Sequence, residues 1–408
     1  MRQQGWRFVL GALVVMFIVA VPSYLSVRAS IHVEVVQYIC NLVEMKFYEY
    51  TKGLEEWADK CRAEGLEISP WESTREVLGR IQVHFNHLGI SHLEVYTPVE
   101  DKRLWEGQGQ EIGVQARLIE DRYVITKVLP GSMAAQAELQ PGDIVEELDG
   151  EPIHSLWQIH TGRGFFTVIR GDKVFRVFLE PREVILDSSP QVRVLDPNTA
   201  VLEISSFRSP YFEEEDWKKV IRQLEPFSKV LVDIRENSGG SFVAMLRALS
   251  PFFCEPTLIG HLVQPRKDQD KRGPLLDNLA EDYQLAELDQ KGVLDLVTFA
   301  GYGCVKGKVT VLTNYQTASV SEIFAHGIRK RGNARVWGEP TAGDVVLAVW
   351  YAIPHLAKGY SLSIPEATVV THDNVNLEAQ GVWPDRELEY RLSDAVQGLD
   401  SWVVEAAR

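Results

Sequence analysis

Cysteine is scarce in this sequence of 408 residues, which contains only Cys40, Cys61, Cys254 and Cys304. No two of them form a C-x-x-C pair, so the cysteines indicate neither a zinc site nor a redox motif. We therefore expect no metal and no cofactor. A disulfide between Cys40 and Cys61 is compatible with an exported protein, although sequence alone does not establish that pairing.

Positive charge is also in short supply. The chain has 42 Lys and Arg residues against 57 Asp and Glu residues, which gives a formal net charge of −15. Nucleic-acid binding needs a basic surface that displaces counterions from phosphates, so this class of partner is excluded. Apolar residues make up 45% of the chain. A chain of this length and composition can bury the cores of two or three domains, and a disordered protein is not expected.

An uninterrupted apolar run occupies residues 8–21, behind Arg2 and Arg7. This is the layout of a secretory signal, and Ala29 lies near a plausible cleavage point. The run is also nearly long enough to remain as a membrane anchor. We therefore predict a signal peptide or N-terminal anchor over residues 1–30, with export of the rest to the periplasm or cell envelope.

The next segment, residues 31–110, is predicted to be a helical region. Apolar residues recur at helical spacing from Val33 to Gly65, and a second short helix is expected from Thr74 to Leu88. Gly89 then ends that helix and begins a loop.

Short alternating strands separated by turn residues are predicted between residues 111 and 182. The Pro130-Gly131 turn, an alanine-rich helix and the turn at residues 141–143 follow in an order and spacing that resemble a PDZ domain of the bacterial protease type. Such a domain binds an extended peptide by strand addition, and a loop of backbone amides captures the terminal carboxylate. The resemblance thus implies polypeptide substrates or protein C-terminal tails as partners. We place the carboxylate loop at Ile112, Gly113 and Val114.

Residues 183–408 are predicted to form an α/β domain, because apolar strands alternate with helical segments. The acidic stretch from residue 268 to residue 290 is expected to be an insertion or a surface helix. The predicted strands are residues 201–204, 230–234, 309–312 and 335–337.

Two segments of this domain carry residues suited to acyl transfer. Ser319 follows a predicted strand and opens a helix, whose free N-terminal amides favour a developing negative charge. Gly239 and Gly240 follow another strand, and paired glycines let the backbone approach a substrate carbonyl. Each segment alone is ambiguous, because serine is an ordinary helix cap and glycines are common in turns.

Together with residues 337–343 and 381–385, these segments resemble the C-terminal processing (tail-specific) peptidases in order and spacing. The resemblance covers nearly all of residues 75–390, the PDZ domain included. It implies an α/β (ClpP/crotonase-like) serine peptidase domain that acts through an acyl-enzyme. It also implies that Ser319 is the nucleophile and that the amides of Gly239 and Val320 form the oxyanion hole.

The chain departs from this family at the general base. Typical members use a lysine directly after the Pro-Thr-x-Gly turn, and Asp344 stands at that position, 25 residues after Ser319. The supporting glutamine is replaced by Ala348. A carboxylate with an ordinary pKa of about 3.9 is a weak base for a serine hydroxyl, so another base is required.

The related tricorn-type proteases solve this problem with a Ser-His-Glu triad. By similarity to them, His92 of the Ser91-His92 pair is the base and Glu378 is the carboxylate that orients its ring. Ser91 is then an auxiliary polar group, and Asp344 is an alternative acid. The nearby His84 and His87 have helical spacing and are expected at the surface.

Other functions are compatible with the missing lysine. The chain would then be a catalytically inactive PDZ-containing pseudoprotease, acting as an envelope scaffold or adaptor. A carrier of apolar ligands is a third alternative, because the retinoid-binding proteins of the eye share the catalytic-domain fold, although the PDZ domain makes it less attractive.

Overall fold

The structure is a computed structural model, and we describe residues 27, 29–185, 189–267, 271–278, 280–356 and 358–408. The apolar run of the expected signal or anchor lies outside these residues. Within them, no helix is both long enough and apolar enough to cross a membrane. The α-helices of the described residues are α1 (29–46), α2 (Lys52–Leu66), α3 (Thr74–Asn86), α4 (Pro98–Glu106), α5 (Met133–Gln136), α6 (Leu156–Thr161), α7 (Glu214–Leu224), α8 (Phe242–Phe253), α9 (Glu281–Lys291), α10 (Val320–Ile328), α11 (Leu392–Ala395) and α12 (Ser401–Ala407).

Strands account for most of the remaining regular structure. Those in the described residues are β1 (Glu94–Tyr96), β2 (Gln108–Glu111), β3 (Val114–Ile119), β4 (Arg122–Val128), β5 (Ile144–Leu148), β6 (Glu151–Pro152), β7 (Gly164–Arg170), β8 (Lys173–Leu179), β9 (Arg182–Ile185), β10 (Gln191–Asp196), β11 (Thr199–Glu203), β12 (Lys229–Asp233), β13 (Leu258–Val263), β14 (Lys271–Pro274), β15 (Gly292–Val297), β16 (Lys308–Thr313), β17 (Ala334–Gly338), β18 (Val346–Ala352), β19 (Ser361–Thr371) and β20 (Arg386–Glu387).

The described chain divides into two compact units. The first unit takes its residues from 1–101, 264–267 and 346–368, and the second unit contains the others. The first therefore holds the N-terminal helices, and the second holds the expected PDZ and peptidase domains.

In the first unit, α1, α2 and α3 pack around an apolar core that includes Ile39, Trp57 and Phe85. The helical region expected over residues 33–65 is broken, because Thr51 takes an extended conformation and accepts a hydrogen bond from the Leu54 amide as the N-cap of α2. A disulfide joins Cys40 of α1 to Cys61 of α2, a pairing that the sequence left open.

Strands complete the first unit. Strand β1 pairs antiparallel with the beginning of β19, and β18 pairs antiparallel with the other edge of β19. Strands β18 and β19 are not among the strands predicted from the sequence. Leu362 and Ile364 of β19 are fully buried in the same core as the helices.

The PDZ segment of the second unit is a sheet with the strand order β3-β4-β5-β7-β8 around its own apolar core. Strand β3 is the terminal strand in this order. A peptide that adds to the sheet edge by backbone hydrogen bonds therefore has β3 as its natural partner.

The peptidase segment contains a mainly parallel sheet with the strand order β10-β11-β12-β16-β17-β20. Its central strands β11, β12, β16 and β17 coincide with the apolar runs that the sequence predicts as strands. In parallel sheets, the loops after neighbouring strands meet at the carboxyl edge. The loops after β12 and β16, which carry Gly239 and Ser319, therefore lie side by side.

The region expected to be an insertion is only partly helical. Residues 271–274 form β14, which pairs in parallel with β15, and α9 follows. A second disulfide joins Cys254, at the C-terminus of α8, to Cys304. The sequence did not predict this pairing.

Within the second unit, the PDZ and peptidase segments contact each other directly. Ile119 and Val124 of the PDZ sheet pack against Ala395 in a shared buried cluster. The Arg117 guanidinium, on β3, lies 2.5 Å from the carboxylate of Glu236. An ion pair thus joins the peptide-binding strand to the loop that leads to Gly239.

Candidate active site

Ser319 lies at the N-terminus of α10 in a backbone conformation that side chains rarely adopt. Its φ is 62°, and its residue is half-buried. Its amide donates a hydrogen bond to Glu322 Oε1 over 3.2 Å. Left-handed backbone at a serine costs free energy, and such strain concentrates at functional positions.

Gly239 packs directly against this serine. A Cβ atom added at Gly239 would lie 2.7 Å from Ser319 Cβ and 3.0 Å from Ser319 Oγ. Its φ of 104° is also outside the range of ordinary side chains. Glycine is therefore required here both by backbone conformation and by contact with the serine.

The oxyanion role expected for Gly239 needs a correction in this conformation. Its N–H donates to Asn237 Oδ1 over 2.9 Å, so it is not presented to a substrate oxygen. The cause is the buried Asn237 side chain, whose amide nitrogen also donates to the Ile204 carbonyl over 2.9 Å. Val320 is the first residue of α10, where the helix does not use the amide N–H. The oxyanion hole remains a prediction, and it requires Gly239 to leave Asn237.

Glu322 is fully buried, and its carboxylate connects the turn at Ser319 to the turn at residues 341–344. Its carboxylate accepts hydrogen bonds from the Thr341 hydroxyl, from the Gly343 amide at 2.9 Å and from the Asp344 amide at 2.9 Å. Burial raises the pKa of Glu322 to about 7, against the opposing effect of these hydrogen bonds. From the sequence alone, its position three residues after Ser319 predicts only a capping or ion-pair role.

Glu322 should make stability depend on pH. Its pKa is raised above the unfolded value near 4.5, so the folded protein binds more protons between these values and loses stability as pH rises from about 4.5 to about 7. The full change is about 3 kcal/mol. Glu322→Gln should remove this component. The measurement is urea unfolding of both proteins across this range, where the difference between their profiles isolates Glu322. Parallel profiles would contradict the prediction.

Asp344 and Glu378 meet at the same turn. The Glu378 carboxylate accepts a hydrogen bond from the Val345 amide over 2.6 Å, directly after Asp344. Glu322 and Glu378 together therefore fix the backbone at the position where lysine is typical of the related peptidases. Both Asp344 and Glu378 are half-buried, so their carboxylates remain accessible to solvent and small groups.

The Ser91-His92 pair lies in the first unit, just before β1. Ser91 Oγ is 2.8 Å from His92 Nδ1, and the hydroxyl of Ser363 donates to the His92 carbonyl. The φ of His92 is 59°, another left-handed conformation. The pair is thus held by side-chain and backbone contacts, and its ring orientation is set through Nδ1.

The expected carboxylate loop of the PDZ segment is only partly available. The Ile112 amide donates to the His160 carbonyl over 2.9 Å, and the side chains of Ile112 and Val114 are buried in the PDZ core. This amide therefore does not face a peptide carboxylate in this conformation. Gly113 has a φ of 86°, and an added Cβ would lie 2.1 Å from Ser132 Cβ.

Comparison with known proteins identifies both segments. Residues 198–388 match the model of peptidase family S41, and residues 124–160 match a PDZ domain model. Residues 198–388 are therefore similar in sequence to the S41 peptidases. The resemblance to the C-terminal processing peptidases and the mixed α/β fold are confirmed.

Relatives of the chain agree with this similarity at low identity. The chain is 23% identical over 304 residues to a probable CtpA-like serine protease of Staphylococcus epidermidis, covering 72% of this chain and 56% of the relative. It is 22% identical over 285 residues to carboxyl-terminal-processing peptidase 2, chloroplastic, of Arabidopsis thaliana, covering 65% and 49%. The chain spans about half the length of these relatives.

A solved structure supports the fold. The crystal structure of mature CPAF superposes with a TM-score of 0.60 at 13% identity, covering 93% of this chain and 96% of that one. At this identity the likeness shows the fold alone.

The side-chain contacts of two residues near Ser319 were not fully predicted from the sequence. Asn237 was visible in the Glu-Asn-Ser-Gly-Gly segment, but an amide side chain gives no sign of which backbone group it will bind. Glu322 stands three residues after Ser319, the spacing of a capping box, and this signal correctly indicates its bond to the Ser319 amide. Its contacts with residues 341–344 are distant in sequence and left no signal.

Proposed function

We propose that this chain is an exported serine endopeptidase of the C-terminal processing kind, which cleaves polypeptides through an acyl-enzyme at Ser319. The observation that carries the proposal is the strained Ser319 turn at the N-terminus of α10, backed by Gly239, within a segment similar to the S41 peptidases. A serine held this way has its hydroxyl at the positive end of a helix. That field stabilises the negative charge of the tetrahedral intermediate.

The proposed reaction proceeds in two steps. Ser319 Oγ attacks the scissile carbonyl while His92 takes its proton, and His92 then donates this proton to the leaving amine. Water hydrolyses the acyl-enzyme by the reverse sequence. The Val320 amide stabilises the oxyanion, joined by the Gly239 amide once it leaves Asn237. Glu378 stabilises the imidazolium.

The contact between Ser91 and His92 defines the tautomer that this mechanism needs. A histidine that accepts a proton at Nε2 must carry its other proton on Nδ1. Ser91 Oγ, 2.8 Å from Nδ1, then acts as the acceptor of this N–H. A carboxylate that orients the same ring through Nδ1 has to replace Ser91 or share the proton with it. Ser91 is therefore part of the proposed machinery.

The proposed role of the PDZ domain is to present substrate tails. The terminal strand β3 offers its edge for peptide addition, and the Arg117–Glu236 ion pair connects this strand to the Gly239 loop. Peptide binding at β3 can therefore bias the loop whose Gly239 amide is held by Asn237.

The test of the proposed function is hydrolysis of an extended polypeptide by the purified full chain. Mass spectrometry of the products should reveal new termini that accumulate in proportion to enzyme concentration. If the folded chain produces none with a range of unfolded substrates and tail peptides, the proposal is wrong.

Gly113 provides a test of the PDZ contribution. Gly113→Ala places a methyl group against Ser132 and should weaken binding of tail peptides by tenfold or more, because the loop must move. Binding is measured by fluorescence anisotropy of a labelled peptide.

The matched control is Gly131→Ala. Gly131 also has a positive φ, of 75°, but an added Cβ meets nothing within 4 Å. This variant carries the backbone cost of about 1 kcal/mol without the clash and should bind peptide normally. Equal binding by both variants would contradict the placement of the loop.

Export is a separate part of the proposal. It is supported by the apolar run behind Arg2 and Arg7, and by the Cys40–Cys61 and Cys254–Cys304 disulfides, since such bonds persist in oxidising compartments. Removing residues 1–30 should leave the protein in the cytoplasm with reduced thiols, as assayed by fractionation and alkylation. Unchanged fractionation would contradict export through this segment.

A further inference from the structure

A cluster of potential metal ligands lies at the C-terminal end of α10. His326 belongs to the last turn of this helix, and His372 and Asp373 directly follow β19. His326 Nε2 lies 2.9 Å from Asp373 Oδ1, and His372 Nδ1 lies 3.9 Å from the same oxygen. One ligand atom from each of the three residues lies within 4.8 Å of the other two. All three belong to the second unit.

A second observation points to a ligand at this place. His372 Nδ1 is buried and makes no hydrogen bond of ordinary geometry, and the ring has only a weaker contact with the Ile259 backbone, although burying a polar atom without a full partner costs free energy. It faces the carboxylate of Asp373 beyond hydrogen-bonding distance. A cation between these atoms would satisfy the nitrogen and the carboxylate together.

A hydrogen bond from Thr371 also orients the Asp373 carboxylate. Thr371 Oγ1 donates a hydrogen bond to Asp373 Oδ1 over 2.7 Å. Hydrogen bonds of this kind orient ligating carboxylates in metal sites. The Asp373 side chain is 47% exposed, while those of His326 and His372 are 11% and 19% exposed, so an ion can enter from solvent.

We propose that His326, His372 and Asp373 bind a divalent transition-metal ion, of which Zn²⁺ fits best. Two imidazole nitrogens and one carboxylate oxygen are a ligand set for zinc, with water as a fourth ligand. Calcium and magnesium prefer sites made of oxygen atoms alone. Zn–N and Zn–O bonds are about 2.0–2.2 Å long. To reach these distances, the imidazoles of His326 and His372 must rotate slightly toward the ion, and the hydrogen bond between His326 and Asp373 must break.

The position of the site indicates a structural role. His326 is seven residues after Ser319 on the same helix, which is about 10 Å along its axis. The ion would link the C-terminal end of α10 to the segment that runs from Asp373 to Glu378. Lys330 is a nearby positive charge that opposes cation binding, but its Nζ donates to the Leu258 carbonyl over 2.8 Å.

The spacing of the cysteines predicts no metal site, because no two of them form a C-x-x-C pair. His326 is distant in sequence from the adjacent His372 and Asp373, and the three residues match no motif. The parallel sheet and the end of β19 bring them together.

The test is isothermal titration of ZnCl2 into tag-free, chelator-treated full chain that carries Ser319→Ala. This background separates the two proposals, because zinc binding then does not depend on peptidase activity or self-cleavage. We expect one equivalent of Zn²⁺ per chain. His372→Ala should weaken binding by at least tenfold. Asp373→Asn, at an exposed side chain with little risk to folding, should do the same.

The matched control is His261→Ala. His261 Nδ1 also lies 2.8 Å from an aspartate, Asp295, but its other close contact is Arg272 instead of a second histidine. This variant should bind Zn²⁺ like its parent. Zinc at a concentration that saturates the parent should also raise the unfolding temperature of the parent more than that of Asp373→Asn. Absence of stoichiometric binding, or equal binding by the parent and Asp373→Asn, would overturn the proposal.

Discussion

Replacing Ser319 with alanine should lower kcat/KM for polypeptide hydrolysis by about 10⁴-fold or more, because no acyl-enzyme can form without the hydroxyl. The fold should be unaffected. The bond that anchors this turn to Glu322 comes from the Ser319 backbone amide and survives the substitution. Initial rates with a fluorogenic peptide, normalised to folded protein, provide the measurement.

Ser321→Ala is the matched control for this experiment. Ser321 lies in the first turn of α10, and its hydroxyl is buried without a hydrogen-bond partner. Ser321→Ala removes a serine hydroxyl two residues after Ser319 without breaking an observed hydrogen bond. The peptidase activity of this variant should stay within a few-fold of the parent's. If both variants retain full activity, Ser319 is not the nucleophile.

The second large effect is expected at His92. His92→Ala should lower kcat by about 10²–10⁴-fold, because this is the usual contribution of a general base and the family's lysine is replaced by Asp344. KM should change little, since the imidazole acts on the serine hydroxyl and not on substrate binding. The measurement is a full Michaelis–Menten analysis over a range of pH.

His87→Ala controls for the loss of a histidine in the same segment. His87 caps the C-terminus of α3 through its backbone, and its side chain is exposed. Its removal should leave kcat unchanged. If His92→Ala retains the kcat of the parent, His92 is not the general base that replaces the lysine. A Ser91→Ala variant adds information, because loss of the acceptor at Nδ1 should give a smaller decrease than loss of the ring.

Local patterns of the sequence predicted the elements that depend on short-range information. The apolar runs of β11, β12, β16 and β17 became strands of the parallel sheet, and the turns around Gly131 and Gly142 are those of a PDZ domain. Ser319 was located by a strand-to-helix transition and by its family motif. Such signals survive because burial and turn conformation restrict the residue types at each position.

Contacts that depend on side-chain orientation or on the tertiary fold were not predictable in the same way. The bond from the Gly239 amide to Asn237 depends on a side-chain orientation that composition does not encode. The hydrogen bonds that the Glu322 carboxylate accepts from Thr341 and Gly343 form only in the tertiary fold. Likewise, the Cys254–Cys304 disulfide joins cysteines 50 residues apart.

The Asn237 contact gives the proposed mechanism a resting conformation. Its amide side chain holds the Gly239 N–H that the reaction needs, and both are buried. Exchanging a hydrogen bond to Asn237 for one to a substrate oxygen costs little free energy, because one buried partner replaces another. Activation by tail peptides at β3 is therefore compatible with the arrangement of this loop.

The most direct test of the central claim, a serine activated without lysine, is labelling of the full chain with a fluorophosphonate followed by peptide mass spectrometry. The account predicts an adduct on Ser319 that forms rapidly in the parent and at least a hundredfold more slowly in His92→Ala. No adduct on Ser319 in folded protein, with or without a tail peptide, would contradict it and favour a PDZ-containing adaptor.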